Sequence, residues 1–275
     1  MRGLFSFLTR SKAPAGSDAE PRVGFLLAGV QKGGTTTLAR QLGHHPAIGL
    51  ARRKEVHHFD DERLDWAGPT NAAYHAAFRF EGRRRIWGEC TPAYLYWQPA
   101  HDRIRAYNPA MRFVLLFRDP IERAFSQWSM EYARGSDTVD FAEAIRGGRR
   151  RVRPGRWNKA ARVYSYVERG LYGRQMQHLL ERFPREQVLC LPSETLFRRP
   201  EAALAEVARF LGVPPFPRPP AEVHAKQAPA IDYPSRLTRA DAALLAAEYR
   251  DDVALFASLT GVDTSGWLAV DRYPE

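Results

Sequence analysis

The stretch Val23 to Leu38, VGFLLAGVQKGGTTTL, constrains this chain more than any other. Its apolar run from Val23 to Val30 has the length of a strand buried on both faces and is too short for a core helix. The run breaks at Gln31-Lys32-Gly33-Gly34 and resumes as Thr35-Thr36-Thr37-Leu38-Ala39-Arg40-Gln41-Leu42, the opening turns of a helix. Strand, glycine turn and helix start together make an anion site, because unsatisfied N–H groups and the helix dipole face one point. Gly33 and Gly34 let the backbone close round an oxyanion with no Cβ in the way. The plain alternative is a glycine turn that binds nothing, and only the rest of the chain can decide between them.

The position of the lysine narrows the choice. A nucleoside-triphosphate loop reads G-x-x-x-x-G-K-[ST]. Gly29 and Gly34 keep that glycine spacing, but Thr35 stands where the lysine belongs and Lys32 carries the cation instead. Further along, the buried strand Arg112 to Phe117 ends in Arg118-Asp119-Pro120-Ile121-Glu122-Arg123-Ala124-Phe125-Ser126. Asp119 could hold Mg²⁺ for a nucleotide, as in a Walker B strand. Alternatively Arg118 and Ser126 meet one terminal phosphate, with Asp119 capping the helix that Pro120 starts. The second reading is the one adopted.

The phosphate loop resembles the 5′-phosphosulfate loop of sulfotransferases that use 3′-phosphoadenosine 5′-phosphosulfate (PAPS). Gly29-Val30-Gln31-Lys32-Gly33-Gly34-Thr35 is most similar to the heparan sulfate sulfotransferase branch and its bacterial relatives. Arg-Asp-Pro-x-x-Arg-x-x-Ser matches the 3′-phosphate motif of that family residue for residue. Lys54-Glu55-Val56-His57-His58-Phe59-Asp60 resembles the family's Glu-Val-His-Phe-Phe-Asp segment, with Glu55, His57 and Asp60 in matching positions and His58 where an aromatic is usual. Glu89-Cys90-Thr91-Pro92-Ala93-Tyr94 is similar to its Glu-Lys-Thr-Pro-Ala-Tyr, and Cys90 replaces a lysine that contacts glycan. That departure argues against a highly anionic, heparin-like acceptor.

Strands that are each followed by a helix predict an α/β fold, a P-loop-like parallel sheet with helices on both faces, in one domain at residues 23–275 after a flexible tail at 1–22. The resemblance runs from about Val23 to about Trp267. It implies sulfuryl transfer from PAPS to an acceptor hydroxyl or amine, carbohydrate first, with the bisphosphate PAP as product and no metal. Glu55 would be the base, His57 its support and Lys32 the cation on the leaving group. Lys32, Gly33, Gly34, Thr35, Thr36, Thr37, Arg118 and Ser126 would bind the donor, with Lys226 the candidate for a basic loop closing over the phosphates. A P-loop kinase and a non-catalytic polyanion binder remain the competing classes.

Composition bounds these readings. A net charge of +10 over 275 residues favours an anionic partner, but the basic residues form no nucleic-acid signature. His57 and His58 are adjacent and belong to no metal-ligand pattern. Two cysteines far apart in sequence fit a reducing, cytoplasmic setting. The N-terminal Leu4-Phe5-Ser6-Phe7-Leu8 is too short for a signal peptide or a membrane span, leaving a frayed tail or a weak interfacial anchor. Remaining expectations are helices over 69–80, 100–107, 165–182, 200–211 and 239–259, strands at 86–89 and 188–191, and a basic loop or lid across 135–160. Tyr172 reads equally as pocket lining or core.

Overall fold

A computed structural model describes residues 22–68, 71–153, 155–217 and 233–275. Its elements run β1 (Phe25–Gly29), α1 (Thr35–Gly43), β2 (Ile48–Leu50), α2 (Asn71–His75), β3 (Ile86–Cys90), α3 (Gln98–Tyr107), β4 (Arg112–Phe117) and α4 (Pro120–Ala133). The second half adds α5 (Phe141–Arg151), α6 (Lys159–Val163), α7 (Tyr172–Leu180), β5 (Val188–Pro192), α8 (Ser193–Arg198), α9 (Pro200–Leu211) and α10 (Arg239–Thr260). Among the described residues no helix is long and apolar enough to cross a membrane.

The five strands form one sheet in the order β2-β3-β1-β4-β5, and every pairing is parallel. The apolar runs explain why. Phe25 and Leu27 of β1, with Val114 and Leu116 of β4, pack on one face against Leu38, Leu42, Leu204 and Val207 from α1 and α9. The alternate residues, Leu26, Ala28, Phe113, Leu115 and Phe117, pack on the other face with Trp97, Ile104, Tyr172 and Met176. A strand covered on both faces has no polar side, so its sequence is a run rather than an alternation. From β1 the chain crosses toward β2, and from β4 toward β5. The crevice of such a sheet opens between those two strands at their C-terminal ends.

Three sequence expectations need correction. The 135–160 segment is not a loop. α5 starts where Asp140 Oδ1 accepts the Glu143 N–H at 2.7 Å, and buries Phe141, Ala144 and Ile145 in a cluster with Trp128 and Leu245. α6 follows, capped by Asn158 Oδ1 on the Ala161 N–H. The helix expected over 165–182 is interrupted: a 3-10 turn at Glu168–Gly170 precedes α7, because Asp252 of α10 accepts the N–H groups of Gly173 at 2.7 Å and Arg174 at 3.0 Å. That carboxylate caps a helix start in mid-segment. The expected 69–80 helix is reduced to α2, with 69–70 outside the described residues, and β2 was not foreseen. α9 opens on Pro200 and ends on Gly212 at φ 69°, as its sequence predicts. The N-terminal tail, apart from Arg22, lies outside the described residues.

Candidate active site

β1 delivers its loop to the sheet edge beside β4. Val30 N–H donates to the Leu116 carbonyl at 2.8 Å, and Ser193 Oγ donates to the Gly33 carbonyl at 2.6 Å. A Cβ on Gly33 would drive into the Leu116 carbonyl oxygen, so only glycine fits there. Gly34 takes φ 94° and starts α1 with no side-chain cap and no acid in the first turn. The N-terminal amides of α1 thus receive no side-chain cap and no charge from an acid in the helix's own first turn. Lys32 also sits at positive φ, 73°, an uncommon position for a side-chain-bearing residue.

A cavity of about 770 Å³ opens over this loop. Lys32, Gly34, Thr35, Thr36, Thr37, Arg118 and Ser126 all line it, so the two motifs that are about 90 residues apart in sequence converge. Gly33 lies beneath the loop and does not line the cavity. Arg118 Nη2 is held by Glu122 Oε2 at 2.5 Å, one turn along α4. Asp119 caps α4 by accepting the Ile121 N–H at 2.9 Å, accepts the Leu268 N–H at 3.1 Å and pairs with Arg272. The carboxylate thus acts as the helix cap of its second sequence reading. Burial, then the charges of Arg134, Arg118 and Arg123, hold the Lys32 ammonium below its ordinary pKa of 10.5.

A second cavity of about 540 Å³ adjoins the first and shares Gln31, Glu55, Pro92 and Arg134 with it. Glu55 therefore stands at the junction. Its Oε1 accepts from Lys54 Nζ at 2.5 Å, and its Oε2 lies 3.2 Å from His57 Nε2. The other ring nitrogen, Nδ1, is 2.9 Å from Asp60 Oδ2, and Arg162 Nη1 donates to the same oxygen at 2.6 Å. An imidazole that bonds a carboxylate on each side carries both protons. Hydrogen bonds that His57 donates to Asp60 and then to Glu55 outweigh burial and raise its pKa to about 9. Burial alone would raise the Glu55 carboxyl, but His57 and Lys54 hold it down to about 2. At neutral pH the pair is carboxylate and imidazolium. Glu55 (φ 63°) and His57 (φ 56°) are both left-handed, a conformation that costs of order 1–3 kcal/mol per residue and persists only where neighbours enforce it.

Several expectations are settled by position. His58 is buried against the Tyr74 ring and pushed down to about 4 by that burial, so it is neutral packing. Cys90 is buried with Sγ 3.6 Å from the Thr35 carbonyl and lines neither cavity. Tyr172 is core, and its hydroxyl donates to the Arg118 carbonyl at 3.0 Å. Lys226 lies outside the described residues. Among the described residues no group of three or more His, Cys, Asp or Glu is placed to hold a metal. Sequence reasoning did not find Gln31, Lys54, Arg134, Arg162 or Ser193. Lys54 and Gln31 could have been inferred from their places beside Glu55 and Lys32; Arg162 and Ser193 depend on tertiary contacts.

The chain matches the family model described as sulfotransferase domain over residues 24–226. It is 28% identical over 202 residues to heparan sulfate glucosamine 3-O-sulfotransferase 3B1 of Homo sapiens, an alignment covering 72% of this chain and 48% of that protein. It is 26% identical over 205 residues to heparan sulfate glucosamine 3-O-sulfotransferase 5 of Mus musculus, covering 69% of this chain and 53% of that protein. The chain thus spans about half the length of the curated relatives it matches. Among solved structures, a sulfotransferase from Alicyclobacillus acidocaldarius superposes with a TM-score of 0.73 at 26% identity, over 90% of this chain and 99% of that one. The sulfotransferase domain of an olefin synthase from Synechococcus PCC 7002 shares the fold, with a TM-score of 0.53 at 16% identity, over 91% of this chain and 98% of that one.

Proposed function

Since the chain belongs to the sulfotransferase domain family, we propose that it moves a sulfuryl group from PAPS to a hydroxyl, or an amine, of a carbohydrate acceptor. The observation that carries this reading is the place of Glu55, a carboxylate at the junction of two cavities, one of which holds the phosphate motifs. Six cationic side chains line the donor cavity, Lys32, Arg40, Lys54, Arg118, Arg134 and Arg198, against three carboxylates, Glu55, Glu122 and Glu194. A nucleotide with phosphates at two positions fits that excess and offsets the burial and the neighbouring positive charges that depress Lys32.

PAPS supplies an activated sulfuryl group on a phosphate leaving group. The start of α1, with Thr35, Thr36 and Thr37, holds the 5′-phosphate, and Arg118 with Ser126 holds the 3′-phosphate. Lys32 neutralises the charge that develops on the phosphate oxygen as the sulfur–oxygen bond breaks. Glu55 takes the acceptor proton while the new sulfur–oxygen bond forms, after the acceptor displaces Lys54 from Oε1. A carboxylate at about 2 is a weak base toward a free alcohol. The proton therefore moves late, once bond formation has made the hydroxyl acidic. His57, fixed by Asp60, keeps Oε2 occupied and leaves Oε1 for the acceptor. The work is mostly positioning and charge neutralisation, as in phosphoryl transfer.

Thermal unfolding with ligands tests the donor assignment. PAP raises Tm without added metal, and ATP does so much less. Equal stabilisation by ATP with Mg²⁺ would favour a P-loop kinase. Binding that ignores PAP and weakens steeply with salt would favour a polyanion binder.

A further inference from the structure

The carboxylate of Glu89, at the end of β3, lines neither cavity and has no part in the chemistry above, yet it is buried with 1% exposure. Thr91 Oγ1 donates to its Oε2 at 2.6 Å, and Tyr94 and Tyr74 hydroxyls donate to its Oε1 at 2.8 and 3.0 Å. A hydroxyl has a single hydrogen. Once Thr91 and Tyr94 spend theirs on Glu89, their oxygens can only accept.

What they accept are the amides of the loop that carries the base. His57 N–H points to Thr91 Oγ1 at 3.4 Å, and His58 N–H donates to Tyr94 Oη at 3.0 Å, with Phe59 N–H at 3.4 Å from the same oxygen. Val56 N–H faces the Glu89 carboxylate, and Glu55 N–H donates to the Cys90 carbonyl at 3.0 Å. Five successive amides, those of residues 55 to 59, thus face the strand end and its two hydroxyls. This is the stretch in which Glu55 and His57 hold left-handed backbone. A segment that strained keeps its shape only if its surroundings over-determine it.

We propose that Glu89 is a positioning residue: by orienting the Thr91 and Tyr94 hydroxyls it sets the backbone that aims Glu55 and His57 at the acceptor. The inference rests on the sulfotransferase reading for its catalytic consequence, but not for its geometry. Glu89→Gln keeps the volume and replaces one oxygen with a donor. The hydroxyl facing that NH₂ then receives two N–H groups while its own hydrogen loses its partner. Thr91→Val removes one relay and no charge. Tyr74→Phe removes a hydroxyl that bonds Glu89 but touches no loop amide.

Two readouts are taken on each variant, kcat and the titration of His57 by NMR. Glu89→Gln and Thr91→Val are expected to lower kcat by about 10–10²-fold, the scale set by small displacements of a catalytic group. In both, the His57 pKa falls from about 9 toward the ordinary 6.5, as its bonds to Glu55 and Asp60 lengthen. Tyr74→Phe is expected to lower Tm yet keep both readouts. The proposal is overturned if Glu89→Gln and Thr91→Val leave the His57 titration in place, or if Tyr74→Phe moves it equally. Should Glu89→Gln not fold, Thr91→Val decides alone. Absence of transfer by the wild type overturns the sulfotransferase reading, while the His57 titration still decides the role of Glu89.

Discussion

Glu55→Gln lowers single-turnover transfer by about 10²–10⁴ while PAP affinity stays close to wild type. The separation follows from where Glu55 sits. It borders the donor cavity but in the proposed reaction meets the acceptor, and its partners in the free protein are Lys54 and His57 rather than the residues of the phosphate loop. The amide cannot take a proton, yet it preserves shape and a hydrogen bond to His57. A surface glutamate would instead change neither quantity by more than about 0.5 kcal/mol. Near-normal turnover of Glu55→Gln on a true acceptor would place the base elsewhere, with His57 the first alternative once it loses its proton.

Lys32→Ala has the opposite signature. Turnover falls by about 10²–10³, the usual loss when a group that stabilises transition-state charge is removed, and PAP affinity falls with it. The two effects belong together because in the proposed reaction Lys32 meets the phosphate both before and after transfer. The pH dependence adds an independent check. In the free protein, burial and neighbouring arginines depress the Lys32 pKa below 10.5, and a bound phosphate restores it. PAP therefore binds the protonated form more tightly and, at a pH between the free-protein and bound pKa values, takes up a proton. Its affinity declines as pH rises through the free-protein pKa toward the bound one. Lys32→Arg, whose cation does not titrate in that range, should flatten the decline. Calorimetry in buffers of different ionisation enthalpy, repeated as pH is raised toward 10.5, measures the proton uptake, and its absence across that whole range would remove Lys32 from the phosphate.

The fold was legible where a single local signal was strong. β1 and β4 are uninterrupted apolar runs, α9 carries both of its end signals, and Asp119-Pro120 announces a capped helix start. It was not legible where the deciding group came from elsewhere. α7 begins at Tyr172 because Asp252, about 80 residues later, accepts its first amides. α5 was obscured by charge: five of its eleven residues are Arg or Glu and two are Gly, although Phe141, Ala144 and Ile145 keep a helical spacing. The site divides the same way. Lys32, Thr35, Arg118 and Ser126 belong to contiguous motifs that carry their own geometry. Arg162 and Ser193 enter through contacts spanning 102 and 160 residues, which no local pattern records. Glu89 is the intermediate case, since its motif was visible but its link to Glu55 exists only after β3 and the loop pair.

Transfer of labelled sulfur tests the central claim most directly. The protein is incubated with sulfur-labelled PAPS, without metal, and with neutral and anionic saccharides, an amino sugar and lipid alcohols as acceptors. The account predicts label on a saccharide, PAP released in equal amount, and loss of both in Glu55→Gln. No label on any acceptor, together with phosphoryl transfer from ATP and Mg²⁺, would contradict it.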